Sequence, residues 1–187
     1  SYIENGMHNS PQPVRMFYVA PMFRYERPQA GRFRQHHQFG CEAIGDQSPK
    51  VDAEIIELGW KYIADLGIKN VTLRLNSLGD PEGRADYLSD LEKYFRGVAD
   101  QLPKLDLARL DRAPLRVLDS KARETQALAD AAPKSVDYIK GEAKEHWDEL
   151  LSLLDNLKEV YPDFSYKVDH RLVRGLDYYN RTVFEYE

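Results

Sequence analysis

The chain has 187 residues, 42% hydrophobic and 30% charged, which is apolar material enough for a packed core and length enough for one full domain plus a smaller module. No run approaches the ~18 consecutive apolar residues of a membrane helix, and the first residues lack the charged-then-apolar layout of a signal peptide, so a soluble cytoplasmic protein with no membrane partner is expected. The formal net charge of −5 excludes a protein that holds nucleic acid by overall charge alone, and the single cysteine, Cys41, has no disulfide partner and no Cys/His companion at metal-ligand spacing, so it is expected to be a small core residue.

Phe17 to Tyr25 and His36 to Ile44 are rich in aromatic and β-branched residues and predict two strands. The segment Glu26 to Gln35 between them contains Pro28 and Gly31 and predicts a long hairpin loop. A helix is expected from about Val51 to Leu66, with Ile55, Ile56, Trp60 and Ile63 on one face and Gly67 closing its end. Val71, Leu73 and Leu75 then alternate with polar residues, the pattern of a half-buried strand. From about Asp80 the pattern becomes helical: Asp80-Pro81 is an N-cap followed by the proline favoured at the first helical position. Leu88, Leu91, Phe95, Val98 and Leu102 recur at helical spacing, as do Ala143, Trp147, Leu150, Leu154 and Leu157, with Pro103, Pro114 and Pro133 punctuating the stretch between. Strand patterns resume at Phe164 to Val168 and Thr182 to Tyr186. The expected architecture is α+β with an antiparallel sheet, divided into a first core part at 1–79, a helical insertion at 80–161 and a second core part at 162–187.

Positive charge is concentrated early. Residues 1–50 carry six basic and four acidic side chains, whereas 81–160 carry thirteen basic and seventeen acidic. Arg24, Arg27, Arg32 and Arg34 fall within one hairpin loop, a cluster of planar guanidinium forks suited to polyphosphate oxygens, although a solvated charged loop has the same composition. On the strand that follows, Gln38, Gly40, Glu42 and Ile44 share one face, and Phe39, Cys41 and Ala43 the other. A carboxylate and an amide flank a glycine with no side chain to obstruct a ligand lying across them; a wet amphipathic strand would look alike. The segment Leu172-Val173-Arg174-Gly175-Leu176-Asp177-Tyr178-Tyr179 adds a fixed positive charge and two hydroxyls near a turn. His36 and His37 are adjacent on a strand and point to opposite faces, which argues against a shared metal site.

Together, Phe23-Arg24-Tyr25-Glu26-Arg27-Pro28-Gln29, Arg32-Phe33-Arg34-Gln35 and His37-Gln38-Phe39-Gly40-Cys41-Glu42 resemble the second signature motif of class II aminoacyl-tRNA synthetases in its histidine-specific form. Leu172 to Tyr179 resembles the histidine-recognition motif of the histidyl-tRNA synthetases, and the zone including Leu115-Arg116-Val117-Leu118-Asp119-Ser120-Lys121 is similar to that family's insertion domain. The resemblance implies part of the class II antiparallel sheet with a flanking helix, plus the insertion. It implies activation of histidine by ATP to histidyl-adenylate, with Mg2+ arriving on the ATP, followed by transfer to tRNA(His), in a protein that is a homodimer at full length. By the same resemblance Arg24 binds the α-phosphate and Arg174 acts beside it, as the two catalytic arginines. Arg32 contacts the nucleotide and Phe33 stacks on adenine. Gln38 and Glu42, with Arg174, hold the substrate histidine, and Tyr178 and Tyr179 line the imidazole pocket.

The family's first and third signature motifs and its anticodon-binding domain have no counterpart in the chain, so an internal fragment, inactive alone, is expected. Arg109, Arg112, Arg116, Lys121 and Arg123 are the candidates for any basic face of the insertion toward tRNA; a solvated surface would need them equally. The alternative reading is the synthetase-like regulatory subunit of ATP phosphoribosyltransferase, whose relatives tend to lack the insertion. A third is a pseudo-synthetase domain that binds uncharged tRNA.

Overall fold

The structure is a computed structural model that describes residues 1–26, 28–174 and 178–187. The chain divides into two compact units, Ser1–Gly59 and Trp60–Glu187.

In the first unit, β1 (Val14–Phe23) and β2 (Gln35–Ile44) form an antiparallel hairpin, each strand longer at its start than the sequence pattern suggests. Ten consecutive pairs run from Val14 opposite Ile44 to Phe23 opposite Gln35. Because side chains alternate along a strand, this register puts Met16, Tyr18, Ala20 and Met22 on the face of Glu42, Gly40, Gln38 and His36. Arg15, Phe17 and Val19 share the other face with Phe39 and Cys41. There the Phe17 and Phe39 rings lie 6.4 Å apart, and an apolar groove of about 420 Å3 includes Cys41, Ile55 and Leu58. Cys41 is therefore half-buried in a groove wall and not a core residue. Arg15 grips Glu54 through two hydrogen bonds of 2.5 and 2.7 Å.

Helix α1 (Pro49–Asp65) begins in the first unit and ends in the second. Its end has the reciprocal pair expected of a glycine stop: Gly67, at φ +74, donates to the Ala64 carbonyl, and Ile68 donates to that of Ile63.

The second unit is built on β3 (Leu73–Ser77), flanked by β4 (Tyr166–Val168) and β5 (Thr182–Tyr186). The β3–β5 pairing is antiparallel, as expected, but the β3–β4 pairing is parallel, so this sheet is mixed. The central position also explains why β3 is almost wholly buried where alternation predicts a half-buried strand: both edges are paired, and Leu73, Leu75, Asn76 and Ser77 are all inside. Between β3 and β4 lies the helical zone: α2 (Pro81–Gly97), α3 (Lys104–Leu110), α4 (Leu115–Leu118), α5 (Arg123–Asp130) and α6 (Gly141–Val160). Tyr87, Leu91, Phe95, Leu102, Leu110, Val117, Leu118, Ala129 and Ala132 form one apolar cluster there.

Two polar features organise this zone. Asp106, only 1% exposed, accepts hydrogen bonds from Ser120 Oγ (2.5 Å), Thr125 Oγ1 (2.6 Å) and Arg109 (2.8 Å), tying α3, α5 and the loop before α5. Arg109, one of the basic residues singled out for a tRNA-facing surface, is thus held by a buried carboxylate of the helical zone; Arg112, Arg116, Lys121 and Arg123 are exposed. Asp80 occupies the N-cap position of α2 but makes no side-chain cap, because its carboxylate is bound by Arg181 at 3.0 and 3.3 Å.

Candidate active-site segments

On the first unit, three of the five expected substrate-contacting residues of the hairpin, Arg24, Gln38 and Glu42, lie along one face. Arg24 follows directly on β1, its N–H donating to the Arg34 carbonyl at 2.8 Å, so the ladder extends one step beyond the strands. Its guanidinium lies 2.9 Å from Nε2 of His36. Nothing in the local sequence pattern marks this contact, since it follows only from the cross-strand register. Gln38 lies opposite Ala20 and Glu42 opposite Met16, four residues or about 13 Å apart along the strand. Between them the space over Gly40 is taken by this chain's own Tyr18: a Cβ on Gly40 would collide with Cζ, Oη and Cε1 of that ring. Gln38 Nε2 donates to Tyr18 Oη at 2.8 Å. The glycine thus makes room for a tyrosine that orients the amide, where the sequence suggested open space for a ligand.

At the hairpin's tip Gln29 and Arg32 pair through reciprocal backbone hydrogen bonds around Gly31, whose φ of +73° is the value a tight turn asks of its second central residue. Arg32 is exposed, and so is Phe33, at 70%, an apolar ring held out in solvent. Arg27, the fourth arginine of the loop, lies outside the described residues.

On the second unit, the Leu172–Tyr179 segment is anchored at both ends. Leu172 packs with Leu78 and Val183, and Asn76, fully buried on β3, donates to the carbonyls of Leu172 (3.0 Å) and His170 (3.4 Å) while accepting from Ser135 Oγ (3.1 Å). Arg174 donates to the Phe184 carbonyl at 3.0 Å, which fixes the guanidinium against β5. Gly175, Leu176 and Asp177 lie outside the described residues. Tyr178 and Tyr179 are stacked, their ring centroids 4.8 Å apart and their planes 19° from parallel, where paired tyrosines ordinarily pack one inward and one outward. Hydrogen bonding to Tyr179 pushes the Tyr178 hydroxyl above the usual phenol range. The Tyr179 carbonyl accepts from Arg84 on α2. Asn76, Arg84 and Arg181 escaped the sequence reading because each acts on residues some 95 to 100 positions away.

A model of the family described as histidyl-tRNA synthetase matches residues 2–186. The chain belongs to the histidyl-tRNA synthetase family. Among its members, the histidine–tRNA ligase of Desulfitobacterium hafniense is 45% identical over 185 residues, 99% of this chain and 42% of that protein. The crystal structure of apo histidyl-tRNA synthetase from S. aureus superposes with a TM-score of 0.70 at 35% identity, covering 99% of this chain and 42% of that one. The α+β fold inferred from the sequence is thus that of the family. The fold alone is shared with a Bacillus halodurans protein described as an ATP phosphoribosyltransferase regulatory subunit/histidyl-tRNA synthetase, at 19% identity and a TM-score of 0.56 over 99% of this chain and 50% of that one. The chain therefore spans well under half the length of the ligase relative it matches. No described helix is long and apolar enough to cross a membrane, and no group of three or more metal-ligating side chains occurs among the described residues.

Proposed function

We propose that this chain carries the ATP- and histidine-contacting part of a cytoplasmic histidine–tRNA ligase, which activates histidine with ATP to histidyl-adenylate and passes it to tRNA(His), as a homodimer at full length. The observation that carries the reading is the single hairpin face on which the register places a guanidinium, an amide and a carboxylate in order, at Arg24, Gln38 and Glu42. In this reading residues 1–79 and 162–187 are core and 80–161 the helical insertion.

Adenylate formation brings the substrate carboxylate to a negatively charged α-phosphorus, so the protein's task is positioning and charge stabilisation. Arg24 holds the α-phosphate, and its His36 contact keeps the fork in place before substrate arrives. Arg174, steadied by the Phe184 carbonyl, is the second catalytic arginine. Arg32 contacts the nucleotide and Phe33 supplies a flat apolar face for adenine, with Mg2+ brought by the ATP phosphates. Glu42 takes the ammonium group of histidine, and Gln38, oriented by Tyr18, donates to or accepts from its polar end. Tyr178 and Tyr179 read the imidazole. Two hydroxyls that lose their partners when an analogue lacks ring nitrogens give strong discrimination.

The test is calorimetric titration of the chain with a non-hydrolysable histidyl-adenylate analogue, repeated with Arg174→Ala and Glu42→Ala. Binding weakened about 10- to 100-fold in each variant, the worth of one hydrogen bond to a charged group, is the expected result. Equal binding by all three proteins, or none by a folded wild-type chain, counts against the reading.

A further inference from the structure

Arg84 lies in the first turn of α2 and its guanidinium turns back over the end of β3. Nε donates to the Leu78 carbonyl and Nη2 to that of Gly79, both at 3.3 Å, and Nη2 also donates to the carbonyl of Tyr179. Three carbonyl oxygens, two from the turn after β3 and one from a residue 95 positions later, thus converge on one cation. Carbonyl oxygens repel one another, so the cation is what lets these three lie together; the Tyr179 side chain also packs against the cluster of Leu78, Leu172 and Val183, but no backbone hydrogen bond joins the Tyr179 carbonyl to the β3 turn. A planar guanidinium with five N–H donors can serve several acceptors at once, whereas a lysine ammonium is a compact point charge on a flexible stem.

The other side of the same turn is held by Arg181. Its N–H donates to the Gly79 carbonyl at 3.0 Å, and its own carbonyl accepts from Leu78 N–H at 2.8 Å. It does so at φ +49°, the left-handed region that favours glycine, while its side chain spans Asp80 and, at 3.4 Å, Glu142 at the start of α6. The roots of the two longest helices of the 80–161 zone, α2 and α6, are therefore fastened on either side of the short stretch bearing Tyr178 and Tyr179. Tyr178 is 74% exposed and stacks on Tyr179, which packs against the cluster of Leu78, Leu172 and Val183, so where the pair stands depends on how the Tyr179 main chain is held over that cluster.

We propose that Arg84 is a positioning residue for the Tyr178–Tyr179 pair, holding the stacked rings in place for an imidazole side chain by clamping the Tyr179 carbonyl to those of Leu78 and Gly79. This rests on the reading of the two tyrosines as the histidine-side pocket, and it makes the first helix of the insertion a structural part of amino-acid recognition.

The test uses ring-labelled tyrosine NMR of the chain, with Tyr178 and Tyr179 assigned by single Phe replacements and the methyls of Leu78, Leu172 and Val183 as reporters of the core beneath. In the wild type the stacked rings shift each other's signals through their ring currents. In Arg84→Met that mutual shift is expected to vanish while the three core methyls stay put, and in Arg84→Lys to weaken. Histidine titrated into the same samples is expected to move both ring signals in the wild type and to bind at least tenfold more weakly to Arg84→Met. An unchanged ring-current shift in Arg84→Met with the core intact overturns the proposal. Should Arg84→Met lose the core signals as well, Arg84→Lys decides: a weakened shift over an intact core supports the clamp, and a full shift overturns it. Wild-type rings that ignore histidine tell against the pocket reading alone, since the ring-current comparison still judges what Arg84 holds.

Discussion

At the scale of single residues, Gly40 is decided by what lies across it. Tyr18 projects from the neighbouring strand, its ring covers the glycine, and its hydroxyl takes a hydrogen bond from Gln38. A methyl at position 40 must displace that ring, and because the colliding atoms are at the far end of the side chain, the ring can swing aside. Gly40→Ala is therefore expected to cost about 1 kcal/mol, at the low end of overpacking penalties, and to release the Gln38 amide. In a Tyr18→Ala background the same substitution is expected to cost close to nothing. Urea denaturation of the two singles and the double measures the coupling directly. Additive costs would show that the ring does not occupy the space over the glycine. The sequence marks Gly40 as special by its place in an alternating strand; only the pairing of Tyr18 with Gly40 shows why.

At the scale of elements, the local sequence specifies helices and strands, but not which distant segments they pair with. The hairpin, α1 with its glycine stop, and the two long helices of the 80–161 zone follow from periodicity and punctuation, which depend on near neighbours. The parallel β3–β4 pair, the burial of β3 and the diversion of Asp80 from its capping role depend on which distant segment arrives alongside, and periodicity carries no information about that. The candidate site divides the same way. Gln38 and Glu42 share a face by alternation alone, while the place of Arg24 beside that face, its His36 contact and the Tyr18 contact of Gln38 come from register. Asp106 is the same lesson inside the helical zone: in sequence it is one more acid of an acidic zone, yet it is buried with three donors converging on it. Asp106→Ala leaves the Ser120 and Thr125 hydroxyls buried without that acceptor and Arg109 without its carboxylate, so a loss of about 3 kcal/mol is expected. Asp106→Asn, which keeps the shape and one acceptor oxygen, is expected to lose less. Thermal or urea unfolding distinguishes them, and an alanine variant as stable as the wild type would mean that the three donors find other partners.

At the scale of the whole molecule, the second unit is closed by contacts between residues nearly a hundred positions apart, and the chief ionic one is Arg74 with Asp169. Arg74, on β3, donates to Asp169 Oδ2 at 3.0 and 2.8 Å, just past β4, and the Arg171 N–H donates to Oδ1 at 2.9 Å. Burial alone would raise the Asp169 carboxyl's pKa, but the Arg171 N–H and the Arg74 guanidinium outweigh it and hold the group below the usual carboxylate range. A carboxyl depressed by folding stabilises the native state fully above its unfolded pKa of about 4, and that contribution is lost as pH falls through the lower folded value. Glu54, Asp155 and Glu187, each paired with a cation on the surface, shift in the same direction, so the wild type alone would not isolate Asp169. The difference between wild type and Asp169→Asn does. At pH 7 the variant is expected to be less stable by about 2 kcal/mol, the worth of hydrogen bonds to a buried charge. The gap should narrow steadily below pH 4, because the wild-type carboxyl is then becoming neutral like the amide. Urea denaturation at pH 7, 5 and 3.5 gives the comparison. A gap that stays constant with pH would show that Asp169 closes the β3–β4 pair through shape and not through its charge.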